Sequence, residues 1–160
     1  MIANHGQSKK YYHEVIGCNS RLDSLQAAVL NVKLKYLDQY AESRAVAANY
    51  YSEQLADVKE LITPSINEFS THVFHQYTLR ILDGRRDALQ QHLRKREIPT
   101  GIYYPVPLYK QNAYKEYVKD GFHLPVAEQL SQEVISLPMH TELTEEIQDV
   151  IITAIKEFFQ

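Results

Sequence analysis

The sequence predicts an α+β fold, a small sheet with helices packed on it, preceded by a long helix. Three observations carry this. Apolar residues recur three and four apart from Leu22 to Tyr40 and again from Ile147 to Phe158, the period of amphipathic helices. Short runs with strand character, at 73–81, 100–104 and 134–137, are separated by helical segments. No internal repeat or low-complexity tract interrupts the order, and 160 residues suffice for a core without disulfide support.

In chain order, residues 1–19 hold no sustained period and are punctuated by Gly6 and Gly17, so they read as an irregular lead-in. Residues 20–160 then read as the packed domain. Ser20, three residues before Asp23, resembles a capping box and marks the start of the long helix. Its stripe is Leu22, Leu25, Val29, Val32, Tyr36 and Tyr40, with Lys33, Lys35, Asp38 and Gln39 on the solvent side. The pattern continues through Ala41, Ala45, Ala48, Tyr51 and Leu55, as one bent helix or as two, and Pro64 confirms its end. In the strand at 73–81, Val73, His75, Tyr77 and Leu79 face one way, and Phe74, Gln76, Thr78 and Arg80 the other. Asp83 is placed to cap a helix running to about Arg96, with Leu89 and Leu93 as its buried stripe. Pro105 and Pro107 stop the strand at 100–104, and a short helix follows around 111–118. Pro125 opens another helix through Ala127 and Leu130; the strand at 134–137 ends at Pro138. Thr144 caps the last helix, with Glu145 and Glu146 in its first turn.

Composition excludes several functions. The net charge is −3 with both signs intermixed, so no field selects nucleic acid or an anionic membrane. The dense basic run, Arg94-Lys95-Arg96, falls at a helix end that favours cations anyway. The single Cys18 excludes an internal disulfide and fits a reducing compartment. No apolar run nears the ~20 residues of a membrane span, and no signal-peptide core is present, so a soluble cytoplasmic protein is expected. Paired cysteines, a His-x-x-x-His helix and a glycine-rich phosphate loop are all missing, and His72 and His75 point to opposite strand faces. No metal site is expected.

Two segments could carry chemistry. Gly17-Cys18-Asn19-Ser20-Arg21 leads into a helix start, where unpaired N–H groups and the positive dipole end suit an anion. Asn19 and Arg21 could add donors there; equally, the helix is simply capped and Arg21 solvated. The other segment is a strand ending in Tyr103-Tyr104, halted by two prolines, which makes a stiff aromatic loop. That suits a flat or sugar-like ligand, or a rigid connection packed by aromatics.

Taken together these segments resemble the DegT/StrS family of nucleotide-sugar aminotransferases. The motifs are Asn4-His5-Gly6, Gly17-x-Asn19-x-Arg21-Leu22-Asp23-x-x-Gln26-Ala27-Ala28, and Arg44 with Tyr50. His72-Val73-Phe74-His75-Gln76-Tyr77, Tyr103-Tyr104-Pro105-Val106-Pro107-Leu108 and Ser136-Leu137-Pro138-Met139-His140 follow in the family's order, over nearly the whole chain. The resemblance implies a fold-type I enzyme that uses pyridoxal 5′-phosphate and acts as a homodimer. Such enzymes pass an amino group, commonly from glutamate, to a keto-sugar on a nucleoside diphosphate, in deoxyamino-sugar or cell-surface polysaccharide biosynthesis. The family holds the cofactor on a lysine in a Gly-rich segment ahead of the region where this chain starts. No lysine here, Lys9 and Lys10 included, has that setting. The chain is thus expected to be the C-terminal part, without the large cofactor domain, and inactive alone. By resemblance, Asn19 matches the asparagine that reaches the cofactor phosphate of the neighbouring subunit, and Arg21 supports that region. Tyr103 and Tyr104 match the loop lining the sugar-nucleotide cleft, where many relatives carry histidine in place of Tyr103. His75 lies in a segment near that cleft or is an ordinary sheet residue. The alternative is a non-catalytic sugar-nucleotide-binding or dimerisation module.

Overall fold

A computed structural model of the chain describes residues 1–119 and 121–160. They fall into two units, Met1–Gln39 and Tyr40–Gln160.

In the first unit the lead-in is not irregular throughout. It holds an antiparallel hairpin of β1 (Gln7–Lys9) and β2 (Tyr12–His13). Backbone bonds then zip its two ends together: His5 N–H to the Cys18 carbonyl at 2.9 Å, Cys18 N–H to Ile2 at 2.9 Å and Ser20 N–H to Ala3 at 2.8 Å. Two glycines permit this approach. A Cβ on Gly17 would lie 2.2 Å from the Gly6 nitrogen, and one on Gly6, whose φ is +72°, would lie 1.7 Å from the Val15 carbonyl oxygen.

The helix that follows is α1 (Ser24–Leu34), and its N-cap is Asp23, not Ser20. The Asp23 carboxylate accepts the Gln26 N–H at 2.8 Å, while the Gln26 side chain accepts the Asp23 N–H at 3.3 Å. The capping box therefore lies three residues later than expected, with a better N-cap acid and a Gln at the return position. The chain turns at Lys35 and Tyr36 and re-enters helix as α2 (Leu37–Gln54), which settles the question of one helix or two. The stripe of α1 is not packed. Leu25, Val29 and Val32 are all exposed, and the helix has no buried residue.

The second unit has a three-stranded antiparallel sheet of β3 (Leu61–Ile62), β4 (Tyr77–Ile81) and β5 (Val134–Leu137), with β4 in the middle. Alternation gives the sheet two unlike faces. Tyr77 and Leu79 pair with Leu137 and Ile135 on the buried face, while Thr78 and Arg80 pair with Ser136 and Val134 on the other. Onto the buried face come Ala48 and Tyr51 of α2 with Leu55 just after it, Leu89 and Leu93 of α3 (Arg86–Lys95), and Ile151, Ile152 and Ile155 of α5 (Glu145–Phe159). Gln148 and Tyr77, polar groups within this core, are paired. Gln148 donates to the Ala47 carbonyl at 2.8 Å, and the Tyr77 and Ser52 hydroxyls meet at 2.8 Å. The α+β architecture is as expected, and α4 (Pro125–Glu133), β5 and the Thr144 cap of α5 fall where the sequence placed them.

Four local differences have physical causes. The strand at 73–81 begins only at Tyr77, because Phe74 adopts φ +45°, which inverts the alternation ahead of it. Phe74 is thereby buried and Val73 exposed; His72 Nδ1 accepts the Phe74 N–H at 2.9 Å and the two rings stack at 4.1 Å. The strand expected at 100–104 is a single bridge, with Gly101 and Ser136 exchanging bonds of 3.0 and 2.7 Å. The helix at 111–118 is a 3-10 segment, Asn112–Tyr117, after a shorter 3-10 turn at Leu108–Lys110. Asp83 accepts the Arg85 N–H at 3.0 Å within a turn and does not cap α3, whose N-cap is Arg85.

Arg86 is buried and donates to the Ser131 and Val134 carbonyls at 3.2 and 3.0 Å. A cation thus closes the C-terminal end of α4. Among the described residues no helix is long and apolar enough to cross a membrane.

Leu79 is fully buried at the centre of the sheet, so Leu79→Ala is expected to lower stability by about 3 kcal/mol. Urea unfolding followed by far-UV circular dichroism measures this. Ile62→Ala, on the exposed side of β3, is expected to cost under about 1 kcal/mol in the same experiment.

Candidate functional site

In the first unit, Arg21 Nε donates to Asn19 Oδ1 at 3.2 Å. Both residues line a polar concavity shared with Ser20, Asp23 and Gln26. The Asp23 cap changes the physics expected here. One of the free N–H groups of the α1 start, that of Gln26, is already taken by the chain's own carboxylate, so an anion would rely on side-chain donors. With Oδ1 facing Arg21, the Asn19 amide presents its N–H groups, and the rest of the guanidinium offers more. That donor set fits a phosphate in kind and charge.

In the second unit the polar face of the sheet floors a cavity of about 330 Å³, bordered by His75, Gln76, Thr100, Gly101, Tyr103 and Ser136. The Ser136 hydroxyl is paired with that of Thr78 at 2.8 Å. His75 lies just before β4 on the rim of this cavity, so it is not a sheet residue. Gly101 explains the place of Tyr103. A Cβ there would lie 2.4 Å from the tyrosine ring, so only glycine lets the ring fold back over the backbone.

Tyr103 and Tyr104 meet edge to face, 6.0 Å between centroids. They also form one wall of a larger, mainly apolar cleft of about 610 Å³, with Leu108 beside them and Ala127, Leu130 and Val134 opposite. The structure thus gathers Tyr103, Tyr104 and His75 around two adjoining cavities of the second unit, and pairs Asn19 with Arg21 in the first.

Sequence reasoning missed Glu128. Its carboxylate on α4 accepts from the Tyr109 hydroxyl, from Lys110 Nζ at 2.7 Å and from His123 Nδ1 at 3.3 Å. The bond from Lys110, then that from Tyr109, holds the Glu128 carboxyl down to about 2. No spacing rule links a residue to partners eighteen and nineteen positions away, so nothing in the sequence marked it. Nor did it mark Arg80 of β4, which reaches Glu133 in the last turn of α4 at 2.8 Å. Tyr50 was singled out with Arg44; its hydroxyl donates to Asp149 at 2.6 Å, and this bond pushes its pKa up to about 12. Among the described residues no group of three His, Cys, Asp or Glu side chains converges to hold a metal ion.

The family model described as the DegT/DnrJ/EryC1/StrS aminotransferase family matches residues 1–156. The chain belongs to this family. The DegT/DnrJ/EryC1/StrS aminotransferases depend on pyridoxal phosphate. A pleiotropic regulatory protein of Geobacillus stearothermophilus is 43% identical over 100% of this chain and 43% of its own length. A dTDP-3-amino-3,6-dideoxy-alpha-D-galactopyranose transaminase of Aneurinibacillus thermoaerophilus is 36% identical over 99% of the chain and 42% of its own. Among solved structures, DesV of S. venezuelae, in complex with a ketimine intermediate, superposes with a TM-score of 0.90 at 36% identity. It is covered over 43% of its length, and this chain over 100%. The chain therefore spans less than half the length of the relatives it matches.

The Glu128 carboxyl is expected to titrate at about 2 in the folded chain, against an ordinary value of 4.5. Because the folded value is the lower one, this group adds stability above pH 4.5 and loses it as pH falls from there through about 2. Its side-chain carboxyl carbon shift in an acid NMR titration reads the midpoint, which Lys110→Met should move upward.

Proposed function

We propose that this chain is the C-terminal part of a pyridoxal-phosphate-dependent aminotransferase that acts on a nucleotide-linked keto-sugar, in deoxyamino-sugar or cell-surface polysaccharide biosynthesis. The observation that carries this is the aromatic cleft at Tyr103 and Tyr104, in a chain that also pairs Asn19 with Arg21 and belongs to an aminotransferase family. In this reading residues 1–19 lead in from a cofactor domain and 20–160 form the small domain with its connecting helix.

Bound pyridoxal phosphate supplies the electron sink through which an amino group leaves one carbon and enters another. The residues of this chain bind and orient. Asn19 N–H groups and the Arg21 guanidinium receive the cofactor phosphate of a neighbouring subunit, which matches their donor-only character. Tyr103 and Tyr104 offer flat faces to the sugar and phenol hydroxyls to its oxygens, while the apolar wall of α4 keeps water from that side. His75, on the rim shared with Tyr103, can donate to or accept from a sugar hydroxyl. A homodimer in the cytoplasm, with glutamate as amino donor, completes the reading. The uncovered apolar stripe of α1 supports an assembled state, because a face of this kind is costly to leave in water.

Two experiments test the proposal. The isolated chain, incubated with pyridoxal phosphate and reduced with borohydride, should show no lysine carrying the cofactor's mass; a specifically labelled lysine would overturn the assignment of the cofactor lysine to another part of the protein. In the full-length protein, Gly101→Ala forces the Tyr103 ring away, and should raise the KM for the nucleotide sugar roughly tenfold. The half-reaction with glutamate should be unchanged. Equal loss in both half-reactions would contradict a substrate-wall role for Tyr103.

A further inference from the structure

We propose that Glu128 is a positioning residue: its carboxylate latches the loop that carries Tyr103 and Tyr104 onto α4 and so sets the width of the apolar cleft. The importance of that width for activity rests on reading the cleft as the sugar-nucleotide site.

The cleft has two walls. One is the loop from Tyr103 to Leu108; the other is the α4 face of Ala127 and Leu130. Glu128 follows Ala127 on α4, at the edge of the second wall and outside the cleft lining, and its donors Tyr109 and Lys110 come directly after Leu108 on the first. The carboxylate therefore joins the walls at their seam. A third donor, His123, comes from the residues that lead back into α4, so both ends of the excursion between Leu108 and α4 meet at one carboxylate. Tyr109 is steadied from the side by the Phe122 ring, edge-on at 5.3 Å.

The loop is held at its other end by the Gly101–Ser136 bridge. Between these two anchors lie Pro105 and Pro107, each with a fixed φ, so little slack separates Tyr109 from Tyr104. The opposite wall is fastened in turn: Arg86 closes the end of α4 and Arg80 holds Glu133. Exposed ion pairs contribute little to stability. Three donors on one acceptor still define where the loop sits, and the depressed Glu128 value shows that the folded chain favours the charged, bonded form.

The test uses fluorine NMR of the 160-residue chain labelled with 3-fluorotyrosine, with Tyr51, Tyr77, Tyr103, Tyr104 and Tyr109 assigned by single Tyr→Phe changes. In Glu128→Gln, the Tyr103 and Tyr104 resonances should shift or broaden together with Tyr109, while the core Tyr51 and Tyr77 stay in place. A change confined to Tyr109 would overturn the proposal and leave a local surface pair. Should Glu128→Gln disturb Tyr51 and Tyr77 as well, Lys110→Met, which removes a single donor, is judged by the same criterion. In the full-length protein Glu128→Gln should raise the KM for the nucleotide sugar several-fold, spare the glutamate half-reaction, and be partly restored in Glu128→Asp. Coupled tyrosine resonances without a KM effect would keep the latch and refute the sugar-nucleotide reading of the cleft.

Discussion

The second unit depends on the sidedness of the β4–β5 ladder. Four successive pairs place Tyr77, Leu79, Ile135 and Leu137 on one face and Thr78, Arg80, Val134 and Ser136 on the other. A slip of β4 by one residue in register would bury Arg80 and Thr78 in the helix-lined core and expose Tyr77, Leu79 and Ile81, so the pairing is strongly fixed. The same alternation that builds the core produces a second face with hydroxyls and a guanidinium. Ser136 can then floor a cavity, Gly101 can bridge to its backbone, and Arg80 can reach α4. Core and candidate site are the two sides of one ladder.

What the sequence made legible follows from range. Periodicity within one element was readable. Examples are the α5 stripe with its Thr144 cap, the Pro125 start of α4 and the alternation from Tyr77 to Ile81. Features set by contacts between distant segments were not. The hairpin ends are joined by backbone bonds permitted by Gly6 and Gly17, and backbone pairing leaves no side-chain pattern. At two residues, β3 is too short for any period. Phe74 reads as the wrong face because a left-handed residue resets the alternation, and only the buried environment that accepts its ring accounts for that conformation.

At the site, residue types were legible and geometry was not. The tyrosine pair before two prolines announced an aromatic loop, whereas its attachment through Glu128 arises from three-dimensional convergence. The α1 start shows the opposite failure. Ser20 and Asp23 form a plausible capping pattern, yet Asp23 with Gln26 forms a better one, and a shift of three residues moves Asn19 and Arg21 off the helix end. Their claim on an anion then rests on their own N–H groups and no longer on the dipole. The α1 stripe carries a related lesson: helical periodicity records that a face is to be buried, but not that the burying surface lies within the same chain.

The division between the two faces also separates stability from recognition. Tyr51, Leu79, Leu89 and Ile155 are fully buried and supply hydrophobic stabilisation, while no side chain of the Tyr103–Leu108 loop is buried to that degree. The loop is instead suspended from a backbone bridge and a carboxylate, both polar. Such fastenings add little to the unfolding free energy but fix direction well, because each hydrogen bond tolerates only a narrow angle. Residues along this loop can therefore be exchanged without disturbing the helices behind the sheet, provided that the two anchors stay in place.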